Sequence, residues 1–191
     1  VGLNSGTDAL FLSLLATGIG EEDEVITVSH TFVAPIAVIV HLGAKPILVD
    51  VGEDFLIDPN KIEKIITKKT KAIVPVHLNG RACQMNKIME IAKKYNLIVI
   101  EDAAQALGAK FDGKMAGFFG LTGCFSFYPA KILGTFGDGG AVVTNNPKIA
   151  EKIRFLRDHG QKTKTEIVCF GFNSRLDNLQ AAILNVKFKH L

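Results

Sequence analysis

No apolar run in this sequence is long enough to cross a bilayer. The longest, near Phe32 to Leu42, contains Pro35 and His41 and falls short of the roughly 20 residues that a transmembrane helix needs. Cysteine is scarce. Cys83, Cys124 and Cys169 stand far apart without a CxxC pair, which argues against a disulfide framework or a zinc site and predicts reduced thiols in a cytoplasmic protein. Charge of one sign is not concentrated anywhere: the net +3 is spread through mixed sequence, so no basic stripe points to nucleic acid. Repeats, low-complexity tracts and linkers are missing too. Without paired carboxylates or His/Cys clusters at ligand spacing, glycosidase and metal-hydrolase chemistry have no footing. No GxGxxG follows a strand, so a dinucleotide fingerprint is also lacking.

What is present is a regular alternation. The 191 residues, 48% of them apolar, suffice for one domain with a sizeable core. Short apolar runs at Glu24–Val28, Pro46–Asp50, Lys71–Val76 and Leu97–Glu101 read as strands. Between and after them, helices are predicted at Phe32–Leu42, Asn60–Ile66 (Asp58 as cap, Pro59 in the first turn), Met85–Tyr95, Pro147–Asp158 and Asp177–Leu191. Continuous apolar strands alternating with helices predict an α/β fold whose sheet is mainly parallel and buried on both faces. A polar loop, Gln161 to Glu166, separates the last two helices. No secretory leader pattern opens the chain. Val1 in place of Met, and a helical pattern still running at Leu191, give the expectation of a fragment.

Three places carry candidate chemistry. Cys124–Tyr128 reads as a buried strand stopped by Pro129, which has no N–H for a ladder. Lys131 is the next polar side chain, before a glycine-rich stretch, Gly137 to Gly140, read as a tight turn into a second strand, Ala141–Thr144. A lysine held among apolar groups is pushed toward its neutral amine, the form that condenses with an aldehyde to a Schiff base; the alternative is a lysine snorkelling to solvent. The opening loop Gly2–Asp8 precedes a helix over Ala9–Thr17, capped by Ser5 or Thr7 and stopped at Gly18. Its free N–H groups suit a phosphate, or it is an ordinary capped helix. Asp102 and His77 both fall at strand carboxyl ends, where open parallel sheets bind ligands. Asp102 reads equally as a helix cap, and for His77 a hydrogen-bonded strand-end role is preferred over catalysis.

The stretches Asn4-Ser-Gly-Thr-Asp-Ala-Leu10, His30-Thr-Phe-Val-Ala34, Pro75-Val-His-Leu78, Glu101-Asp-Ala-Ala-Gln-Ala106, Ser126-Phe-Tyr-Pro-Ala-Lys131, Gly137-Asp-Gly-Gly140 and Asn173-Ser-Arg-Leu-Asp177 follow one another along the chain. In order and spacing the set resembles the DegT/DnrJ/EryC1/StrS group of sugar aminotransferases, pyridoxal phosphate enzymes with the aspartate aminotransferase (fold type I) architecture. The resemblance implies that residues 1–191 are the cofactor-binding large domain, truncated at both ends and lacking a C-terminal small domain. It implies pyridoxal 5'-phosphate as cofactor, held covalently by Lys131, which then shuttles a proton. Asp102 is implied to pair with the pyridine nitrogen, Gln105 to bond the phenolic oxygen and Phe32 to stack on the ring. Gly6, Thr7 and Ser126 are implied to bind the phosphate, joined by Asn173 from a second subunit. Leu121 and Ile132 depart from residues common in the group. Lysine at position 131, where a dehydrating branch carries histidine, favours transamination.

The implied reaction moves an amino group from glutamate to a keto group of a nucleotide-linked sugar. The wording of Pro75–Arg81 and Ser126–Leu133 hints at a 3-keto sugar. A homodimer with shared sites is implied, without nucleic-acid or membrane partners. The alternatives are amination of a cyclitol, synthesis of an aromatic amino acid, or a non-catalytic regulatory protein that kept the fold.

Overall fold

The computed structural model describes all residues from Val1 to Leu191. A short strand β1 (Gly2–Leu3) leads into α1 (Gly6–Ala16), whose N-cap Ser5 accepts from Asp8 N at 3.0 Å. Next come β2 (Glu24–Val28), α2 (Ala34–His41), β3 (Lys45–Val49) and α3 (Pro59–Ile62), then β4 (Thr70–Val74), α4 (Met85–Tyr95) and β5 (Ile98–Asp102). A small hairpin, β6 (Lys110–Phe111) and β7 (Lys114–Met115), precedes β8 (Thr122–Ser126) and β9 (Gly140–Val143). The chain finishes with α5 (Pro147–Leu156), a second hairpin of β10 (Gln161–Thr163) and β11 (Glu166–Ile167), and α6 (Asn178–Lys187).

Seven strands form one sheet in the order β1-β9-β8-β5-β4-β2-β3. The pairs β2/β3, β2/β4, β4/β5 and β5/β8 are parallel; β8/β9 and β1/β9 are antiparallel. Alternate residues of the strands enter opposite layers of the core, as the period of two requires. Val25, Ala72, Val74 and Ile100 pack with α1, α2 and α5, whereas Ile26, Ile73 and Val99 pack with α3 and α4. This burial on both faces is why the strands read as unbroken apolar runs. Helix α1 lies deepest, with Ala9, Leu10, Leu12, Ser13, Leu14 and Ala16 all buried. No helix is long and apolar enough to cross a membrane.

The expected α/β architecture is present, and the strand Glu24–Val28 and helix Met85–Tyr95 have the expected bounds. Several local expectations change. Helix α2 starts at Ala34 instead of Phe32, because Pro35 belongs in a first turn, where its missing N–H costs nothing; Phe32 and Val33 are left exposed. Helix α3 ends at Ile62 and continues as a 3-10 turn over Glu63–Ile65. Likewise the last helix runs Asn178–Lys187, followed by a 3-10 turn over Phe188–His190. The polar loop at 161–166 is a hairpin, its turn tied by Glu166 N donating to Thr163 Oγ1 at 3.1 Å. Gly137–Gly140 is not a tight turn between adjacent strands. Residues 127–139 form a longer excursion, closed by Phe127 N to Gly139 O at 2.7 Å and Thr135 N to Phe127 O at 2.8 Å. Lys131 rides on that excursion.

Candidate active site

The carboxyl ends of β5 and β8, the segments that follow β2 and β4, and the amino end of α1 converge on a cavity of about 490 Å³. That is where an open parallel sheet leaves its strand ends free to meet a ligand. Of the residues singled out in the sequence, Gly6, Thr7, Phe32, Asp102, Gln105, Ser126 and Lys131 line it together. They come from four separate stretches of the chain. Asn173 does not line the cavity: it is exposed and bridges to Asp158. Nor does Asn173 cap the last helix, whose N-cap is Asp177. His77 also stays outside, as a buried structural histidine.

The amino end of α1 is one wall. First-turn N–H groups have no intrahelical acceptor; Ser5 Oγ takes that of Asp8, leaving those of Gly6 and Thr7. A Cβ added to Gly6 would lie 2.6 Å from Ser126 Cβ, so glycine is what lets this helix end approach β8. Similarly, a Cβ on Gly140 would lie 2.2 Å from Ser5 O. The result is a cradle of N–H groups and the Ser126 hydroxyl at the positive end of an 11-residue helix, suited to an anion.

Asp102 is the last residue of β5, 5% exposed, and no helix follows for it to cap. Its Oδ1 accepts from Ala104 N at 3.0 Å. Burial drives its carboxyl above the usual aspartate range, and the Ala104 N–H and the nearby Lys131 charge do not cancel that effect. Such a group gains from a cationic or N–H partner arriving in the cavity. Lys131 is half-buried on the lining, and its neighbours Tyr128, Pro129, Ala130 and Ile132 are exposed. The expectation of a lysine sealed among apolar groups is therefore corrected: the excursion that carries it lies over the cavity rather than inside the core.

The lining also includes residues that sequence reasoning passed over. Tyr128 lies between Ser126 and Lys131, Asp138 within the glycine-rich stretch, and Thr31 beside Phe32. Adjacency to a singled-out residue was the only available signal. Thr31 Oγ1 is buried without a hydrogen-bond partner. An orphaned hydroxyl, an anion cradle, a buried carboxylate short of partners and an accessible amine together fit pyridoxal phosphate. Gly6, Thr7, Phe32, Asp102, Gln105, Ser126 and Lys131 all face this one space.

The model of the DegT/DnrJ/EryC1/StrS aminotransferase family matches residues 1–191. A Geobacillus stearothermophilus protein named pleiotropic regulatory protein is 50% identical, over 100% of this chain and 52% of its own length. A dTDP-3-amino-3,4,6-trideoxy-alpha-D-glucose transaminase of Streptomyces venezuelae is 47% identical, over 100% and 51% respectively. Among solved structures, S. venezuelae DesV in complex with a ketimine intermediate superposes with a TM-score of 0.96 at 47% identity, covering 100% of this chain and 52% of that one. Bacillus subtilis NtdA with bound cofactor PMP gives 0.93 at 42% identity, covering 100% and 44%. The chain thus spans about half the length of the curated relatives it matches. With a family match over its full length, this chain belongs to the DegT/DnrJ/EryC1/StrS aminotransferase family.

Proposed function

We propose that the protein containing this chain is a pyridoxal phosphate-dependent aminotransferase that moves an amino group, from glutamate, onto a keto group of a nucleotide-linked sugar. The observation that carries this reading is the convergence of Lys131, Asp102, Gln105, Phe32 and the α1 amino end on one cavity. When bound, pyridoxal phosphate supplies an aldehyde for amine exchange and a ring that takes up electron density. Lys131 Nζ is the amine that would hold the cofactor at its aldehyde carbon, and as a free amine it would accept and return a proton at the substrate carbon. Asp102, kept dry, would hold a proton on the ring nitrogen through a charge-assisted hydrogen bond. Gly6, Thr7 and Ser126 fix the phosphate, so that the Nζ and the Asp102 carboxylate meet the cofactor in one orientation. Phe32, exposed on the cavity lining, would cover a ring face.

The name of the S. venezuelae transaminase places nitrogen at C3, and a 3-keto sugar is accordingly the favoured acceptor. A regulatory protein without catalysis has no use for an amine and a buried carboxylate facing one cavity, so the name of the G. stearothermophilus relative does not redirect the reading. We infer a cytoplasmic homodimer in which Asn173 reaches the partner's cofactor phosphate. Its exposure, and the exposed side chains of Phe136 and Phe170 at 82% and 99%, support a covered face. The test is borohydride reduction of the purified complete protein, followed by peptide mapping. The expected result is a reduced cofactor adduct on Lys131, absent from Lys131→Ala, together with amino transfer from nucleotide-linked amino sugars in a half-reaction. An adduct on another lysine would overturn the assignment.

A further inference from the structure

The cavity gives no task to Glu101, yet this side chain is a hub. Successive strand residues face opposite sides of a sheet, so Glu101 points away from Asp102, into the layer behind the cavity. Both Glu101 and His77 are 0% exposed. Glu101 Oε1 accepts from Phe119 N and Gly120 N, each at 2.6 Å. Its Oε2 accepts from Gly117 N at 2.8 Å and faces His77 Nε2 at 2.9 Å. His77 Nδ1 accepts from Cys83 N at 3.0 Å, which leaves the ring proton on Nε2, donating to Glu101.

The donors belong to two loops that frame the end of β5. Residues 117–120 lie directly on the strands that carry the site. A Cβ on Gly123 would come within 2.0 Å of Gly117 O, and one on Gly120 within 2.5 Å of Val99 O. Gly117 itself has φ +90, and a Cβ there would meet Phe125 Cζ at 2.6 Å. The second loop returns to Asp102 through its backbone: His77 N donates to Asp102 O at 2.9 Å, and Ala103 N to Cys124 O at 2.8 Å on the other side. Only a carboxylate accepts at both oxygens and donates nothing. An amide would turn an NH₂ toward an N–H and leave buried groups unpaired. Burial alone would raise the Glu101 carboxyl, but the hydrogen bonds from His77, Gly120 and Gly117 outweigh it and hold the group below the usual glutamate range.

We propose that Glu101 is a positioning residue for the cofactor site: as the common acceptor for residues 117–120 and for His77, it fixes the orientation in which Asp102 meets the cofactor. The proposal rests on the reading of the cavity as a pyridoxal phosphate site. A purely structural Glu101 would affect stability alone; a positioning residue also changes what Asp102 does.

The test is Glu101→Gln in the complete protein. Three quantities are measured: melting temperature without cofactor, Kd for pyridoxal phosphate, and the pH dependence of the bound cofactor's absorbance. Glu101→Gln is expected to lower the melting temperature, raise Kd at least tenfold and shift the absorbance titration. In an Asp102→Asn background the same substitution should still lower the melting temperature, but change Kd by less than twofold, because the group it orients has lost its charge. Unchanged Kd and absorbance in Glu101→Gln, with only the melting temperature lowered, would overturn the proposal. So would an undiminished Kd effect in the Asp102→Asn background. If Glu101→Gln does not fold, Glu101→Asp keeps the charge and withdraws it from the loop donors. A Kd at least threefold higher is then expected, and an unchanged Kd overturns the idea. Failure of the unaltered protein to bind pyridoxal phosphate would instead bring down the cavity reading, and the proposal with it.

Discussion

Asp102→Asn separates charge from shape at the base of the cavity. The bond from Ala104 N to Oδ1, 3.0 Å long, is one that an asparagine oxygen retains, so the substitution removes little except the negative charge. Burial raises the native pKa of Asp102, which means that the folded state binds its proton more tightly than the unfolded chain does. Stability of the cofactor-free protein therefore declines as pH climbs from the ordinary aspartate range, about pH 4, through the raised native value. Above that value an incompletely partnered buried charge remains. Removing it is expected to stabilise the cofactor-free protein at neutral pH by about 1–3 kcal/mol, the scale of a buried polar group short of partners. The gain should vanish below about pH 4, where aspartate is protonated in both states. With pyridoxal phosphate the sign reverses. A charge-assisted hydrogen bond contributes about 1.5–3 kcal/mol, so the variant should bind the cofactor roughly 10- to 150-fold more weakly and gain less from saturation. Thermal melts between pH 4 and 8, with and without cofactor, and an absorbance titration read all of these effects. A cofactor-free variant less stable than the unaltered protein at pH 7 would refute the reasoning and make Asp102 a structural anchor.

Three further outcomes are expected. Gly6→Ala would force a Cβ to 2.6 Å from Ser126 Cβ, an overpacking of about 1–3 kcal/mol that pries open the anion cradle; weaker binding of inorganic phosphate as a competitor, with an unchanged circular dichroism spectrum, is the readout. Burial pushes the Cys83 and Cys124 thiols up to about 12, so a thiol reagent at pH 8 should label half-buried Cys169 first and the other two only on unfolding, as peptide mass mapping would show. Mixing Lys131→Ala and Asn173→Ala subunits should give activity above the mean of the two separate variants if Asn173 serves the partner's site, and no rise if it serves its own chain.

The fold was legible because its strands are buried on both faces. Val25 and Ile26 enter opposite core layers, as do Ile73 and Val74, so the runs are mostly apolar, with Thr27 and Glu101 as buried polar exceptions. Exposed elements carry no such signature. The hairpin of β10 and β11 is largely polar and solvated, and nothing in 161–166 distinguished it from a loop. Of the site, the residues contributed by local motifs were legible, since a helix cap, a strand end and a proline stop each leave a mark in sequence. What the local pattern did not give was their convergence. Asp102 pairs in register with Cys124, two residues before Ser126, and Gly140 pairs with Ser126 while touching Ser5. Those pairings bring the α1 end, the Asp102 carboxyl and the Lys131 excursion around one cavity.

Glu101 was illegible for the same reason. In sequence it is simply the acidic residue before Asp102 that ends an apolar strand. Its significance depends on backbone N–H groups of Gly117, Phe119 and Gly120, donors that no side-chain pattern records. The glycines of that segment were the visible trace. Gly117, Gly120 and Gly123 are needed because one loop lies against two strands, and a loop held that close must direct its N–H groups at something. A buried carboxylate one residue from the cavity resolves both facts, and it ties the packing behind the sheet to the chemistry in front of it.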